Sequence, residues 1–235
     1  MIAHRGASAA RPENTMAAFI HAIELGADGV EFDVQQTAEG DLVVIHDLTL
    51  DRTTDRRGLV FETPTHSVRD ADTGGWFDSR FVGERVPFLA EVLRLRDIRF
   101  ELELKGFTRD FAQSVIDEVL AADVLTRVEF TSSHPLLLEY VRRVVPGARI
   151  GCFAPPRPDW MPLAAHRLWS RATAEMIEAD VLHFHAGLIS EDLLAEVHSW
   201  GFAIHAADVA DDDLARVLAL DVDQLSTARP ELVRQ

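Results

Sequence analysis

The sequence predicts an α/β fold: a closed (β/α)8 barrel, or TIM barrel, with a small insertion after the second barrel strand. Short apolar segments alternate with amphipathic stretches along most of the 235 residues. This alternation is typical of right-handed βαβ units that share a parallel sheet. Eight strand segments of this kind favour a closed barrel over an open doubly wound sheet. The predicted barrel strands are 2–4, 29–34, 100–104, 128–131, 149–153, 181–184, 202–206 and 222–226.

The segments between these strands carry the apolar periodicity of helices that pack one face against a sheet. We expect helices at 14–25, 109–121, 135–145, 170–179, 190–200 and 211–220. The run Asp211-Asp212-Asp213 is interpreted as a solvated helix N-terminus, where negative charge is favourable. Length and apolar content suit one large unit, so we expect a single domain over residues 1–235.

One apolar segment, 42–46, does not fit the parallel barrel. About five residues separate it from the preceding strand, whereas parallel neighbours need a crossover of about a dozen residues or more. We therefore predict an antiparallel hairpin centred near Glu39. This hairpin would return His46 to the side of residues 32 and 33.

Residues 48–86 lack a clean period and contain turn signals. A loop of this length inside a compact domain is usually functional or a small inserted subdomain. Its aromatic residues Trp76, Phe77 and Phe81 could form a core of their own or a lid over a site, and the sequence does not separate these alternatives.

Composition and charge exclude several function classes. The formal net charge of −16 argues against general nucleic-acid binding and against docking on an anionic membrane. We expect no stable membrane insertion, because no run approaches the ~20 apolar residues of a membrane span. The N-terminus has no secretory signal pattern, and Cys152 alone can form no internal disulfide, so a cytoplasmic protein is expected. An anionic substrate would need a local positive site.

Acidic residues recur at spacing two on neighbouring predicted strands. Glu31 and Asp33 leave one face of their strand, and Glu101, Glu103 and Lys105 share one face of the next. Facing carboxylates cannot all stay ionised unless a cation neutralises them, and oxygen ligands favour a hard divalent ion. The alternative is a solvent-exposed face, which the barrel context and the repetition make less favoured.

Two histidines end neighbouring elements at the same rim of the predicted barrel. His4 follows the first strand, and His46 ends the hairpin. An imidazole can serve as acid or base near pH 7, so two imidazoles at one rim could supply a proton donor and a proton acceptor.

Lys105 is the only lysine among 23 basic residues. A chain so biased toward arginine keeps a lysine where a compact ammonium is needed and a planar guanidinium fits badly. Chance survival of a surface lysine is the alternative.

Five motifs occur in order over residues 2–105. They are Ala3-His4-Arg5-Gly6, Pro12-Glu13-Asn14-Thr15, Gly26-Ala27-Asp28-Gly29-Val30-Glu31-Phe32-Asp33-Val34, Val44-Ile45-His46-Asp47 and Glu103-Leu104-Lys105. Together these motifs resemble the glycerophosphodiester phosphodiesterase family, and weaker similarity continues to the end of the chain. The resemblance implies a barrel with an insertion at 48–86 that cleaves glycerophosphodiesters to glycerol phosphate and an alcohol.

The resemblance also implies roles for seven residues. It implies one divalent ion, Mg²⁺ or Ca²⁺ with Mn²⁺ as a further option, held by Glu31, Asp33 and Glu103. It implies phosphate contacts from Arg5 and Lys105, which would supply the positive site. His4 and His46 would form the acid–base pair, with His4 favoured as the acid and the reverse assignment open.

The last third of the chain departs from the family pattern. His205-Ala206-Ala207-Asp208 stands where the family usually has Trp-Thr-Val-Asn, and the segments 132–135, 221–224 and 227–230 also differ. The alcohol of the substrate is therefore open. Lysophospholipids, with the insertion contacting the acyl chain, are one alternative. A catalytically weak barrel that binds a phosphorylated or lipid-like ligand is another.

His183 and His185 lie two apart on a predicted strand and could form a second metal site. A packed or pocket-lining role is the favoured interpretation.

Overall fold

The computed structural model describes residues 1–233 and contains the predicted (β/α)8 barrel. Within this range, eight parallel strands close on themselves through the pairing of the first strand with the second. In chain order the barrel strands are β1 (Ile2–Ala3), β2 (Gly29–Gln36), β4 (Arg99–Leu104), β5 (Val128–Ser132), β6 (Arg149–Phe153), β7 (Val181–His185), β8 (Ala203–Ala207) and β9 (Gln224–Thr227).

Helices cover the outside of the barrel. They are α1 (Met16–Glu24), α3 (Leu89–Val92), α4 (Arg109–Ala121), α5 (Pro135–Val144), α6 (Leu163–Met176), α7 (Glu191–Ser199) and α8 (Asp211–Ala219), while the short helix α2 (Thr65–Arg69) belongs to the insertion. The main core lies between these helices and the strands, where Phe19, Phe32 and Phe100 pack edge to face. Most boundaries lie within two residues of the predicted ones.

The predicted helix at 170–179 is shifted, because α6 runs from Leu163 to Met176. Its buried face consists of His166, Ser170 and Ala174, while Trp169 and Met176 are exposed. Apolar periodicity therefore indicated the wrong residues. The helix is anchored by a polar contact instead: His166 Nε2 donates to the carbonyl oxygen of Pro155 at 2.7 Å.

The hairpin prediction is confirmed. Strand β3 (Leu42–Val44) pairs antiparallel with β2, and the backbone N–H of Ile45 donates to the carbonyl oxygen of Asp33 at 2.9 Å. The side-chain amide of Gln35 also donates to the carbonyl oxygens of Ile45, His46 and Asp47. These bonds place His46 beside the carboxyl end of β2.

The insertion at 48–86 packs with the hairpin around a small aliphatic core. The buried residues of this core are Val43 and Ile45 from the hairpin and Leu50, Val60, Val68 and Val86 from the insertion. The aromatic side chains of Trp76, Phe77 and Phe81 pack on one another at centroid distances of 5.7 and 5.8 Å, and Trp76 is partly exposed. The aromatic cluster is therefore not the core of the insertion.

No helix within residues 1–233 combines the length and the apolar character needed to cross a membrane.

Candidate active site

Three buried carboxylates converge at the carboxyl ends of β2 and β4. The parallel register sets Asp33 opposite Glu103, and Glu31 lies two residues earlier on the same face of β2. Each residue offers one oxygen within 4.8 Å of the other two. Burial, and then repulsion from neighbouring carboxylates, raises the pKa of Glu31 well above its ordinary value. Burial also raises the pKa of Glu103. A bound cation would stabilise the ionised forms of Glu31 and Glu103 against burial and mutual repulsion. These residues therefore fit a divalent ion.

Two cationic side chains lie against this carboxylate group. Lys105 Nζ is 2.7 Å from Glu103 Oε1 and 3.1 Å from Asp33 Oδ1. Arg5 Nε is 3.6 Å from Asp33 Oδ2, and the backbone N–H of Arg5 donates to Glu31 at 2.8 Å. Burial disfavours the charged form of Asp33, but Lys105, His46 and Arg5 together hold its pKa below the ordinary value. The site therefore combines negative ligands with local positive charge, as an anionic substrate requires.

Asn14 fixes the orientation of Asp33. Its side-chain amide donates to Asp33 Oδ2 at 2.7 Å from a position that is 4% exposed. The backbone of Asn14 has φ of 57°, a left-handed conformation that asparagine tolerates better than most residues. Thr15 then caps α1 through its side-chain oxygen, which accepts from the N–H of Ala18. The start of this helix thus carries a site residue for which sequence reasoning assigned no role.

His4 lies at the rim of the barrel, between Glu31 and Asp208. Its Nε2 is 3.0 Å from Asp208 Oδ1 and 3.7 Å from Glu31 Oε2. Burial lowers the pKa of His4, and the nearby Asp208 opposes that shift. Asp208 therefore lies close enough to orient the imidazole and to stabilise its protonated form.

Asp208 gives a first test of the site. Replacement by Ala should lower kcat about two- to fivefold, because a partly exposed ion pair contributes at most about 1 kcal/mol. Steady-state kinetics on the substrate class that the family resemblance implies measure this change. Asp211→Ala is the matched control, since Asp211 pairs with Arg229 on the surface. An unchanged kcat in Asp208→Ala would show that Asp208 does not position His4.

His46 belongs to a chain of charged contacts that ties the insertion to the barrel. Its Nδ1 is 2.7 Å from Asp47 Oδ1, and Arg52 Nε donates to Asp47 Oδ2 at 2.7 Å. Arg52 also donates to Glu13, and Glu13 accepts from Arg5 at 2.8 Å. Hydrogen bonds from Arg52 hold the pKa of Asp47 well below its ordinary value, against the smaller effect of burial. The ionised Asp47 thus fixes one imidazole nitrogen and leaves the other for chemistry.

The two histidines of β7, His183 and His185, lie in different environments. His183 is buried inside the barrel, and its Nε2 is 2.7 Å from Glu129 Oε1. His185 is exposed, and its Nδ1 accepts from the backbone N–H of Gly187. The two therefore do not form a joint site.

The structure brings all seven predicted site residues to one mouth of the barrel. Six of them line a cavity of 210 Å³, and the seventh, Asp33, contacts Lys105 at its edge. Asn14, Asp47 and Asp208 were not predicted as site residues. Asp47 and Asn14 lie within the quoted motifs, and Asp208 follows a barrel strand at its carboxyl end, which is itself a functional signal.

Comparison with known proteins agrees with this geometry. The family model described as the glycerophosphoryl diester phosphodiesterase family matches residues 4–232. A glycerophosphodiester phosphodiesterase from Caldanaerobacter subterraneus subsp. tengcongensis is 40% identical over 157 residues, which cover 64% of this chain and 65% of that protein. The matched region thus spans just under two thirds of this relative.

Solved structures extend the similarity to nearly the whole chain. The crystal structure of a glycerophosphodiester phosphodiesterase from Agrobacterium tumefaciens has a TM-score of 0.84 at 28% identity, covering 99% of this chain and 97% of that one. A phosphodiesterase from Oleispira antarctica, solved with the product sn-glycerol-3-phosphate, has a TM-score of 0.81 at 25% identity, covering 99% and 94%. The match of the family model over residues 4–232 and the shared barrel show that this chain belongs to the glycerophosphoryl diester phosphodiesterase family.

Proposed function

We propose that this protein hydrolyses glycerophosphodiesters to glycerol phosphate and an alcohol, with the help of one hard divalent ion. The observation that carries the proposal is the placement of two imidazoles, His4 and His46, beside a buried carboxylate group at one barrel mouth. The Oleispira antarctica structure with sn-glycerol-3-phosphate supports a substrate of this class.

Glu31, Asp33 and Glu103 would hold the ion, which we propose to be Mg²⁺ or Ca²⁺, with Mn²⁺ as a further option. When bound, the ion would stabilise negative charge on the phosphoryl oxygens. Lys105 and Arg5 would add to that stabilisation, because their charged groups lie at the edge of the carboxylate group.

His4 and His46 would move the protons. We favour His4 as the acid, since Asp208 at 3.0 Å stabilises its protonated form. His46 would then be the base: one of its nitrogens is hydrogen-bonded to Asp47, and the other remains to accept a proton from water. The reverse assignment predicts a different response of the two histidine variants to leaving-group acidity.

The insertion is tied to the barrel by contacts of charged side chains. We propose that barrel and insertion act as one domain, because Arg52 of the insertion contacts both Asp47 and Glu13 of the barrel. We also propose a cytoplasmic location, since Cys152 is the only cysteine and is buried.

Lysophospholipids are the second candidate substrates, supported by an apolar cavity beside the site. This cavity of 440 Å³ lies between the insertion and the mouth, where Leu48, Phe107 and His134 line it next to Lys105. Phe107 is 59% exposed, and the centroid of its ring lies 5.2 Å from that of His134. An exposed aromatic surface at that place suits one acyl chain.

A substrate screen separates the candidates. Glycerophosphocholine, glycerophosphoethanolamine and a lysophospholipid are each assayed with Mg²⁺, Ca²⁺ or Mn²⁺. We expect release of glycerol phosphate from the first two substrates. Preference for the lysophospholipid, lost in Phe107→Ala, would favour the second candidate. Binding of phosphorylated ligands without turnover of any substrate would contradict both.

Lys105 gives a sharp test of the electrostatics. Lys105→Arg should lower kcat/KM at least about tenfold, or ~1.4 kcal/mol of transition-state stabilisation, because the broad guanidinium displaces substrate or ion. Thermal stability should change little, since the positive charge remains. Arg171→Lys, in an exposed pair with Glu175, is the matched control. Wild-type efficiency in Lys105→Arg would remove Lys105 from the phosphate-binding role.

A further inference from the structure

Helix α6 presents an apolar face to solvent. Leu168, Trp169 and Met176 lie on this face and are 67%, 44% and 79% exposed. Ala165 and Ala172 extend the same face, because residues three, four, seven and eleven positions apart align along a helix. We propose that these five residues, the α6 face, bind a second copy of the chain in antiparallel orientation, so that the protein is a homodimer. The proposal does not depend on the hydrolytic function.

Polar contacts on the inner side of α6 fix the orientation of the helix. The buried side carries His166, Ser170 and Ala174, and His166 Nε2 donates to the carbonyl oxygen of Pro155 at 2.7 Å. The hydroxyl of Ser170 donates to the carbonyl oxygen of His166 at 2.9 Å. A surface helix normally turns its apolar stripe toward the core. Here polar residues face inward and the larger apolar residues face outward, so the α6 face is left for a contact outside the chain.

The α6 face also differs from the outer faces of the neighbouring helices. Helix α7 exposes Glu191 and Asp192. In α6, which lies entirely within the described residues, no charged side chain shares the apolar face, because Arg167, Arg171 and Glu175 follow one another at spacing four along an adjacent side. Single exposed apolar residues are ordinary on a protein surface. A contiguous apolar patch, in contrast, marks an interaction site.

The size of the α6 face suits a contact between two chains. The exposed parts of its five side chains amount to roughly 450 Å², within the range of about 300–600 Å² that is often functional on a protein surface. A standard interface buries about 800 Å² per partner, of which about 56–65% is apolar. The α6 face therefore supplies the apolar share of such an interface, and the charged side chains beside it would form the rim.

Local charge allows two like copies to meet at α6. The formal net charge of −16 makes two chains repel each other over most of their surface, and it also disfavours an anionic lipid surface as the occupant. Helix α6 carries Arg167 and Arg171 against Glu175, whereas α7 carries three acidic residues and neither lysine nor arginine. Repulsion between two copies is therefore smaller at α6 than at α7.

The order of residues along the α6 face is self-complementary in an antiparallel pair. Ala172 lies near the middle, and its small side chain lets two helices approach closely at a two-fold axis. Trp169 lies three residues before Ala172 and Met176 four residues after it, so Trp169 would pack on Met176 of the partner subunit. Arg171, which is 2.7 Å from Glu175 of its own chain, would also face Glu175 of the partner subunit.

Sedimentation equilibrium of the full chain at micromolar concentration tests the dimer. We expect the wild type to have the mass of two chains. Leu168→Glu and Met176→Glu should each raise the dimer Kd at least about 100-fold, because a symmetric contact receives the charge twice. Both side chains are exposed in the single chain, so folding should be retained, as circular dichroism would check. Leu120→Glu is the matched control, because Leu120 is an exposed leucine of α4. A monomeric wild type, or a dimer that both α6 variants leave intact, would refute the proposal.

Cysteine cross-linking tests the antiparallel orientation. Ala172→Cys should form a disulfide between two chains on mild oxidation, because both copies of this position meet at the axis, within the Cα separation of about 4.4–6.8 Å that a disulfide needs. Ala165→Cys is the matched control, since its two copies would lie roughly 20 Å apart along the helices. The native Cys152 is buried and does not compete. Absence of the cross-link in Ala172→Cys, or an equal cross-link in Ala165→Cys, would refute the arrangement.

A vesicle assay distinguishes a lipid surface from a second copy. The wild-type protein is mixed with phosphatidylcholine vesicles and floated on a density gradient. We expect the protein to stay behind as a dimer. Flotation of the wild type that Leu168→Glu abolishes would assign the α6 face to lipid and refute the dimer.

Discussion

Removal of the proposed divalent ion from Glu31, Asp33 and Glu103 is expected to abolish hydrolysis and to lower thermal stability. Glu31, Asp33 and Glu103 are buried together, and Lys105 and Arg5 compensate only part of the repulsion between them. An ion present at about 100 times its Kd contributes about 2.7 kcal/mol to the folded state. For a chain of this size each kcal/mol shifts Tm by about 2–4 °C. Activity assays and thermal melts before and after chelation measure both effects.

The same site can be impaired by substitution. Asp33→Asn should lower kcat/KM on the order of 10³-fold, because the ion supplies several kcal/mol of transition-state stabilisation. Asp117→Asn is the matched control, since Asp117 accepts a hydrogen bond from Gln113 on the surface of α4. Readdition of Mg²⁺, Ca²⁺ or Mn²⁺ to the stripped wild type should restore turnover. Full activity in metal-free protein would refute metal dependence.

Replacement of His4 or His46, the proposed acid–base pair, should cause the second large loss of activity. His4→Ala and His46→Ala should each lower kcat by about 10²–10⁴-fold, because each variant lacks a positioned proton donor or acceptor. Metal binding and folding should be largely retained, since neither imidazole belongs to the carboxylate group. His198→Ala is the control, because His198 pairs with Asp223 on the surface. Near-wild-type turnover in both variants would show that the acid–base assignment is wrong.

Leaving-group acidity distinguishes the two histidines. A glycerophosphodiester with a p-nitrophenol leaving group needs no proton donor, so the variant that lacks the acid should recover most of its activity on that substrate. We expect this recovery in His4→Ala and not in His46→Ala. Recovery in His46→Ala alone would reverse the roles, and recovery in neither would contradict acid catalysis by either residue.

The barrel and the carboxylate group could be predicted from local patterns. Glu31 and Asp33 share a face because strand side chains alternate with a period of two, and Glu103 and Lys105 follow the same rule on β4. The hairpin followed from loop length, because a short connection excludes a parallel crossover. Family motifs added roles to residues that these patterns had already placed near one another.

Helix α6 shows where a local pattern fails. Its buried side carries His166, Ser170 and Ala174, which hydropathy does not recognise as a core face. The hydrogen bond from His166 to Pro155 depends on a loop conformation that no periodicity encodes. The insertion shows the same limit, because its core is aliphatic and the conspicuous aromatic residues lie outside it.

The sequence by itself determined the eight-stranded repeat, the antiparallel return to His46 and the shared face of the acidic residues. Closure of the barrel decided the rest, because it joins residues that are far apart in the chain. Asp208, which follows β8, reaches His4 only because β8 pairs with β9 and β9 pairs with β1. His205 meets Glu101 only across the barrel interior. Such contacts depend on the order and register of all eight strands, which local propensity and spacing leave unspecified.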